Sequence, residues 1–133
     1  MSTHATGRFE GKTWDEKPYS ELDGVPKLAR ASVTNTFSGD IEGAGTLEYL
    51  LIYRADGSAS FVGVERVAGR VGGRSGSFVL QHSGTFEGGA ATTAWFVVSG
   101  SGTGDLRGLR GKGGFVAQEG QQRAPYTLDY DFE

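Results

Sequence analysis

The sequence predicts an all-β fold, a closed antiparallel barrel in preference to a sandwich. About eight segments alternate between apolar and polar residues with a period of two. Clusters of Gly, Asp and Ser separate them at short spacing. No segment carries a helical period. The preference for a barrel follows from closure, which removes exposed sheet edges, and from glycines inside the strands, which relieve crowding where a sheet coils. Gly63, Gly84, Gly113 and Gly114 are candidates for that role. At 133 residues the chain suits one domain, residues 1–133, with a core that needs no staples. With no Cys, disulfides and cysteine-ligated zinc are excluded.

Thr3 to Trp14 alternates as a strand, with Gly7, Phe9, Gly11 and Thr13 on one face and Arg8, Glu10, Lys12 and Trp14 on the other. Residues 15–27 hold Pro18, Pro26 and Asp23-Gly24, and read as a long connection. Leu28 to Phe37 is rich in β-branched residues and forms the second strand. The acidic, glycine-rich residues 38–45 read as a turn. Thr46 to Arg54 is the most apolar strand, with Leu47, Tyr49, Leu51 and Tyr53 on one face and Glu48, Leu50 and Ile52 on the other. Asp56-Gly57 is a strong hairpin signal.

Ala59 to Val67, with a possible continuation to Val71, is the fourth strand; Phe61, Gly63, Glu65 and Val67 share a face. Residues 69–76 hold four glycines and read as a turn or bulge. Ser77 to Phe86 follows, with Phe78, Leu80, His82 and Gly84 together. Gly88-Gly89 turns into Ala91 to Val98, where Thr93, Trp95 and Val97 share a face. Strands near residues 111–118 and 125–132 complete the set. Several strands are apolar on both faces, which points to a homo-oligomer joined through an outer face.

Charge and motifs exclude several function classes. The net charge is −3 and the basic residues are dispersed, so there is no phosphate-neutralising stripe for nucleic acid. The N-terminal stretch from Met1 lacks the apolar region of a signal peptide, and no apolar run reaches the roughly 20 residues of a membrane span. A soluble cytoplasmic protein is the expectation. Gly11-Lys12-Thr13 has Thr6 where a P-loop needs Gly, and the pattern around it stays β. Neither Ser75 nor Ser101 sits in a nucleophile elbow. The histidines are His4 and His82, too far apart in sequence for an H-E-x-x-H zinc site, and no cofactor is expected.

Glu48, Glu65 and His82 fall on three consecutive strands. Glu65 shares its face with Phe61 and Gly63, and His82 shares its face with Phe78 and Leu80. If these faces look into one interior, carboxylate and imidazole lie within reach. Such a pair suits acid–base work on a small, largely apolar ligand, with Glu65 and His82 as the candidate catalytic groups. Glu48, Phe61, Phe78 and Trp95 are the candidate ligand-binding residues. The competing interpretation is structural: a buried Glu–His pair fixes strand register and satisfies itself.

Four blocks in order carry a resemblance to a known family: Phe37 to Gly43, Phe61 to Arg66, Gly76 to Gly84, and Ser101 to Leu106. Together they resemble a bacterial family labelled domain of unknown function 3224, over nearly the whole chain. That family is similar to the allene oxide cyclase barrel-like superfamily. The resemblance implies a closed barrel of about eight strands and homo-oligomers. It implies no established activity, and no active residue transfers. Three functions follow as expectations: a barrel that binds a small apolar molecule, a cofactor-free isomerase or cyclase acting on one, or a structural oligomer with a filled interior.

Overall fold

Each alternating segment pairs antiparallel with the next, and the last returns to the first, so the sheet has strand order β1 to β8 and closes on itself. The computed structural model describes residues 2–133; Met1, part of the N-terminal stretch considered above, lies outside them. The strands are β1 (Thr3–Ser20), β2 (Lys27–Gly39), β3 (Ile41–Tyr53), β4 (Ala59–Val71), β5 (Arg74–Glu87), β6 (Ala90–Val97), β7 (Leu109–Gln118) and β8 (Arg123–Phe132). Among the described residues no helix is long and apolar enough to cross a membrane.

The strands run longer than their apolar patterns because turn-type residues also join the ladders. Gly69 pairs with Gly76, and the turn between β4 and β5 shrinks to Gly72-Gly73, both at positive φ. That is the two-residue hairpin geometry that glycine tolerates best. At Asp56-Gly57 only Gly57 has positive φ; Asp56 instead accepts hydrogen bonds from the Ser58 amide and hydroxyl. Residues 41–45, read as turn, begin β3.

The largest departure is β1. It continues through Pro18 to Ser20, across most of the expected connection, and beyond Glu10 it pairs with β2 but no longer with β8. Pro18 is compatible because it lies in the stretch that β8 does not reach. A register shift between Gly11 and Thr13 leaves Lys12 without a partner on β2. This bulge turns the side chains beyond it by one position. Trp14 therefore sits beside inward-facing Val33, on the same side as Phe9 rather than opposite it.

The interior divides into two halves. At one end Phe78, Val67, Leu80, Val97 and Leu128 pack into a filled cluster. A short 3-10 turn, Gly104–Leu106, closes that end with the buried Leu106, and Thr103 ties it to the Ser77 backbone. Toward the other end the inner positions hold small side chains, among them Ala59, Ala91 and Ala117, and the barrel stays open. Of the four glycines expected inside, Gly63, Gly84 and Gly113 are register partners of inward residues. Gly114 lies outside, opposite Ala94 and Thr127. On the outer face Leu50, Ile52, Val62 and Val64 are exposed on the neighbouring strands β3 and β4.

Candidate functional site

The open half of the barrel holds a cavity of about 400 Å³, within the usual range of small-molecule sites. Its walls are largely aromatic, with Phe9, Trp14, Tyr49, Phe61, Trp95 and Phe115 contributing rings from five strands. Polar side chains gather at two levels. One is the floor, where the cavity meets the filled half. The other is the mouth, formed by β1, the end of β3 and the β7–β8 turn.

The floor is a chain of four polar side chains from β2, β3, β4 and β5. Glu65 is 0% exposed and His82 1%. His82 Nε2 lies 2.9 Å from Glu65 Oε1, and Asn35 Nδ2 donates to Glu65 Oε2 at 2.8 Å. The Tyr49 hydroxyl lies 3.3 Å from His82 Nδ1. A carboxylate has no hydrogen to give, so Glu65 accepts from both neighbours and the His82 proton sits on Nε2. In the neutral imidazole Nδ1 then accepts from the Tyr49 hydroxyl. Every member has a partner, which is what makes buried polar groups tolerable.

Two glycines make the chain possible. Tyr49 and His82 are both register partners of Gly63, one from each side. Because Gly63 has no side chain, the two rings meet above it at 5.6 Å between centroids. A Cβ there would approach Tyr49 Cδ1 to 2.6 Å. Gly45 does the same for Asn35 and Glu65: it is the register partner of Asn35, and a Cβ on it would collide with the Glu65 carboxylate. His82 also packs edge-on against Trp95, with centroids 5.2 Å apart. The Trp95 indole N–H reaches across to the Thr127 carbonyl at 3.0 Å.

The mouth carries a second polar group. Glu16 accepts from the Trp14 indole at 2.9 Å and from the Tyr53 hydroxyl at 2.6 Å. Burial, then the bond to Glu16 and its charge, pushes the Tyr53 phenol above its ordinary range. Burial first, and the Glu65 charge second, does the same for Tyr49. Both shifts favour the neutral phenol in the folded chain, whereas an unfolded phenol ionises near pH 10. The stability these shifts confer is complete below that pH and is lost as the pH climbs past it. Thermal melts from about pH 8 to about pH 11 should show the midpoint falling above roughly pH 10, with a shallower fall in Tyr49→Phe.

Glu65, His82, Phe61 and Trp95 all line the cavity. Glu48 does not. It is the register partner of Val64, on the outer face, where it pairs with Arg30 at 2.7 Å; β3 sends Leu47, Tyr49 and Leu51 inward instead. Phe78 faces inward but lies in the filled half, away from the cavity. Sequence reasoning missed Asn35, Tyr49 and Trp14. Asn35 had a signal: it is the single Asn of the chain, and it shares the inward face of β2 with Val33 and Phe37. Among the described residues no group of three or more His, Cys, Asp or Glu is arranged to hold a metal ion.

Comparisons with known proteins agree with this fold and name no activity. Residues 5–130 match the family described as "Protein of unknown function (DUF3224)". The chain is similar to a crystal structure of a DUF3224-family protein of unknown function from Shewanella oneidensis MR-1. The two share 34% identity and superpose with a TM-score of 0.82, covering 100% of this chain and 99% of that one. No curated protein matches. The match spans nearly the whole barrel, floor and mouth included, and the chain belongs to the DUF3224 family.

Proposed function

We propose that this protein binds a small, largely apolar molecule in the open half of the barrel. The observation that carries the reading is the cavity itself: about 400 Å³, walled by aromatic rings and ending on a buried polar floor. Such a site contributes affinity through apolar burial and orientation through the few polar atoms at its end. Native mass spectrometry of freshly purified protein should show a retained small molecule. Calorimetry should show 2-naphthalenemethanol binding to the wild type, and Ala91→Trp, which fills the cavity from β6, should abolish both. Absence of any retained ligand together with no binding of the probe would overturn the reading.

The floor favours a second reading, a cofactor-free isomerase acting in the same cavity. With Nε2 fixed by Glu65 at 2.9 Å, His82 Nδ1, once the Tyr49 hydroxyl that faces it turns aside, would take a proton from one carbon of the ligand and return it to another, with no net change in the enzyme. Loss of turnover in Glu65→Gln and His82→Ala with ligand binding retained distinguishes it from binding alone.

A further inference from the structure

The charge of the cavity wall says which polar group the ligand carries, an inference that rests on the binding reading above. The charged side chains of the lining are Glu65 and Glu119; no Lys or Arg lines the cavity. Glu65 lies deep on the floor, where His82 and Asn35 hydrogen-bond it. Glu119 and Glu16 stand at the rim, and among the described residues neither forms an ion pair. The donors that reach Glu16 are the neutral Trp14 indole and Tyr53 hydroxyl, which leave its full negative charge in place and pin both rings at the mouth.

Aromatic faces carry negative potential and attract cations, the more so when water is excluded. A ligand anion at this mouth would meet two uncompensated carboxylates and the faces of electron-rich rings. A ligand cation would meet the same groups as attractions. The fold already shows the preference in its own chain: the Lys27 ammonium stands 4.6 Å from the centroid of the Tyr53 ring, the ring that donates to Glu16.

We infer that the ligand is an organic cation, a protonated amine or a quaternary ammonium on an apolar body. The cation lies at the mouth by Glu16, Glu119 and the ring of Trp14, beside the Tyr53 ring that Lys27 already covers. The apolar body points toward Phe61 and Trp95, and the Asn35–Glu65–His82–Tyr49 floor lies beneath it.

Calorimetry with three probes of one shape tests this: (2-naphthylmethyl)trimethylammonium, neutral 2-naphthalenemethanol and 2-naphthylacetate. The cation is expected to bind about tenfold tighter than the alcohol, and the carboxylate most weakly. In the Glu16→Gln/Glu119→Gln double variant the ratio of cation to alcohol affinity should narrow by at least about threefold. Equal binding of cation and alcohol, tighter binding of the carboxylate, or an unchanged ratio in the double variant would overturn the charge inference while leaving the cavity a binding site. If none of the three probes binds and native mass spectrometry shows no retained ligand, the binding reading falls with it.

Discussion

Replacing Glu65 with alanine should cost about 3–5 kcal/mol of folding stability, because two buried donors lose their acceptor at about 1–3 kcal/mol each and a cavity opens beside them. The loss has two parts. His82 Nε2 and Asn35 Nδ2 both donate to this one carboxylate, and each is left facing a hole. The carboxylate also fills the space that Gly45 keeps clear, so its removal opens a void beside Phe37. Glu65→Gln keeps the shape and one acceptor oxygen, and should cost less, about 1–2 kcal/mol. Replacing both Glu65 and His82 with leucine should cost less than the sum of the two single changes, because the His82 donor and its carboxylate acceptor leave together, although Asn35 Nδ2 and the Tyr49 hydroxyl still lose their acceptors. Urea unfolding with an unchanged dependence on denaturant measures all of these. A loss below about 1 kcal/mol in Glu65→Ala would mean that water entering from the cavity satisfies the floor.

Trp95→Ala should be comparably severe, about 3–5 kcal/mol, the range for deleting a large buried aromatic side chain. Trp95 stands at the boundary between the two halves of the interior. Its ring packs against His82 and Phe115, each with centroids 5.2 Å away, and against Tyr126 at 6.2 Å. Its N–H holds the Thr127 carbonyl of β8 from β6. Alanine there would remove the partition, so the variant should also accept longer apolar ligands than the wild type does. Chemical unfolding reads the first effect and a series of alkanols of increasing length reads the second. A variant that loses stability without changing its length preference would show that the partition is held by other side chains.

How much of this was legible in the sequence depends on whether a feature is local. The inward placement of Glu65 and His82 follows from the period of two along single strands, since Phe61, Val67, Phe78 and Leu80 mark the buried face on both sides. Tyr49 was grouped correctly with Leu47 and Leu51, but its partnership with His82 depends on both residues standing opposite Gly63. That register spans three strands, and no single strand reveals it. Asn35 is hidden for the same reason, because its reach to Glu65 passes over Gly45. Glu48 was misplaced because β3 is apolar on both faces: Leu50 and Ile52 are exposed beside it, and hydrophobicity alone does not say which face is inside. Trp14 was misread by one inserted residue. An alternating pattern assumes an uninterrupted pleat, and the bulge at Lys12 breaks it.

The long first strand also bears on how this barrel coexists with other proteins. From Thr13 to Ser20 it has β2 on one side and no strand pairing on the side toward β8. A run of open backbone donors and acceptors is a template onto which a foreign strand can add. Here it carries Asp15, Glu16 and Lys17 in succession, then a proline that has no amide hydrogen to offer. The residues that leave one end of the barrel accessible to a small molecule are thus the same ones that make its exposed margin a poor seed for aggregation.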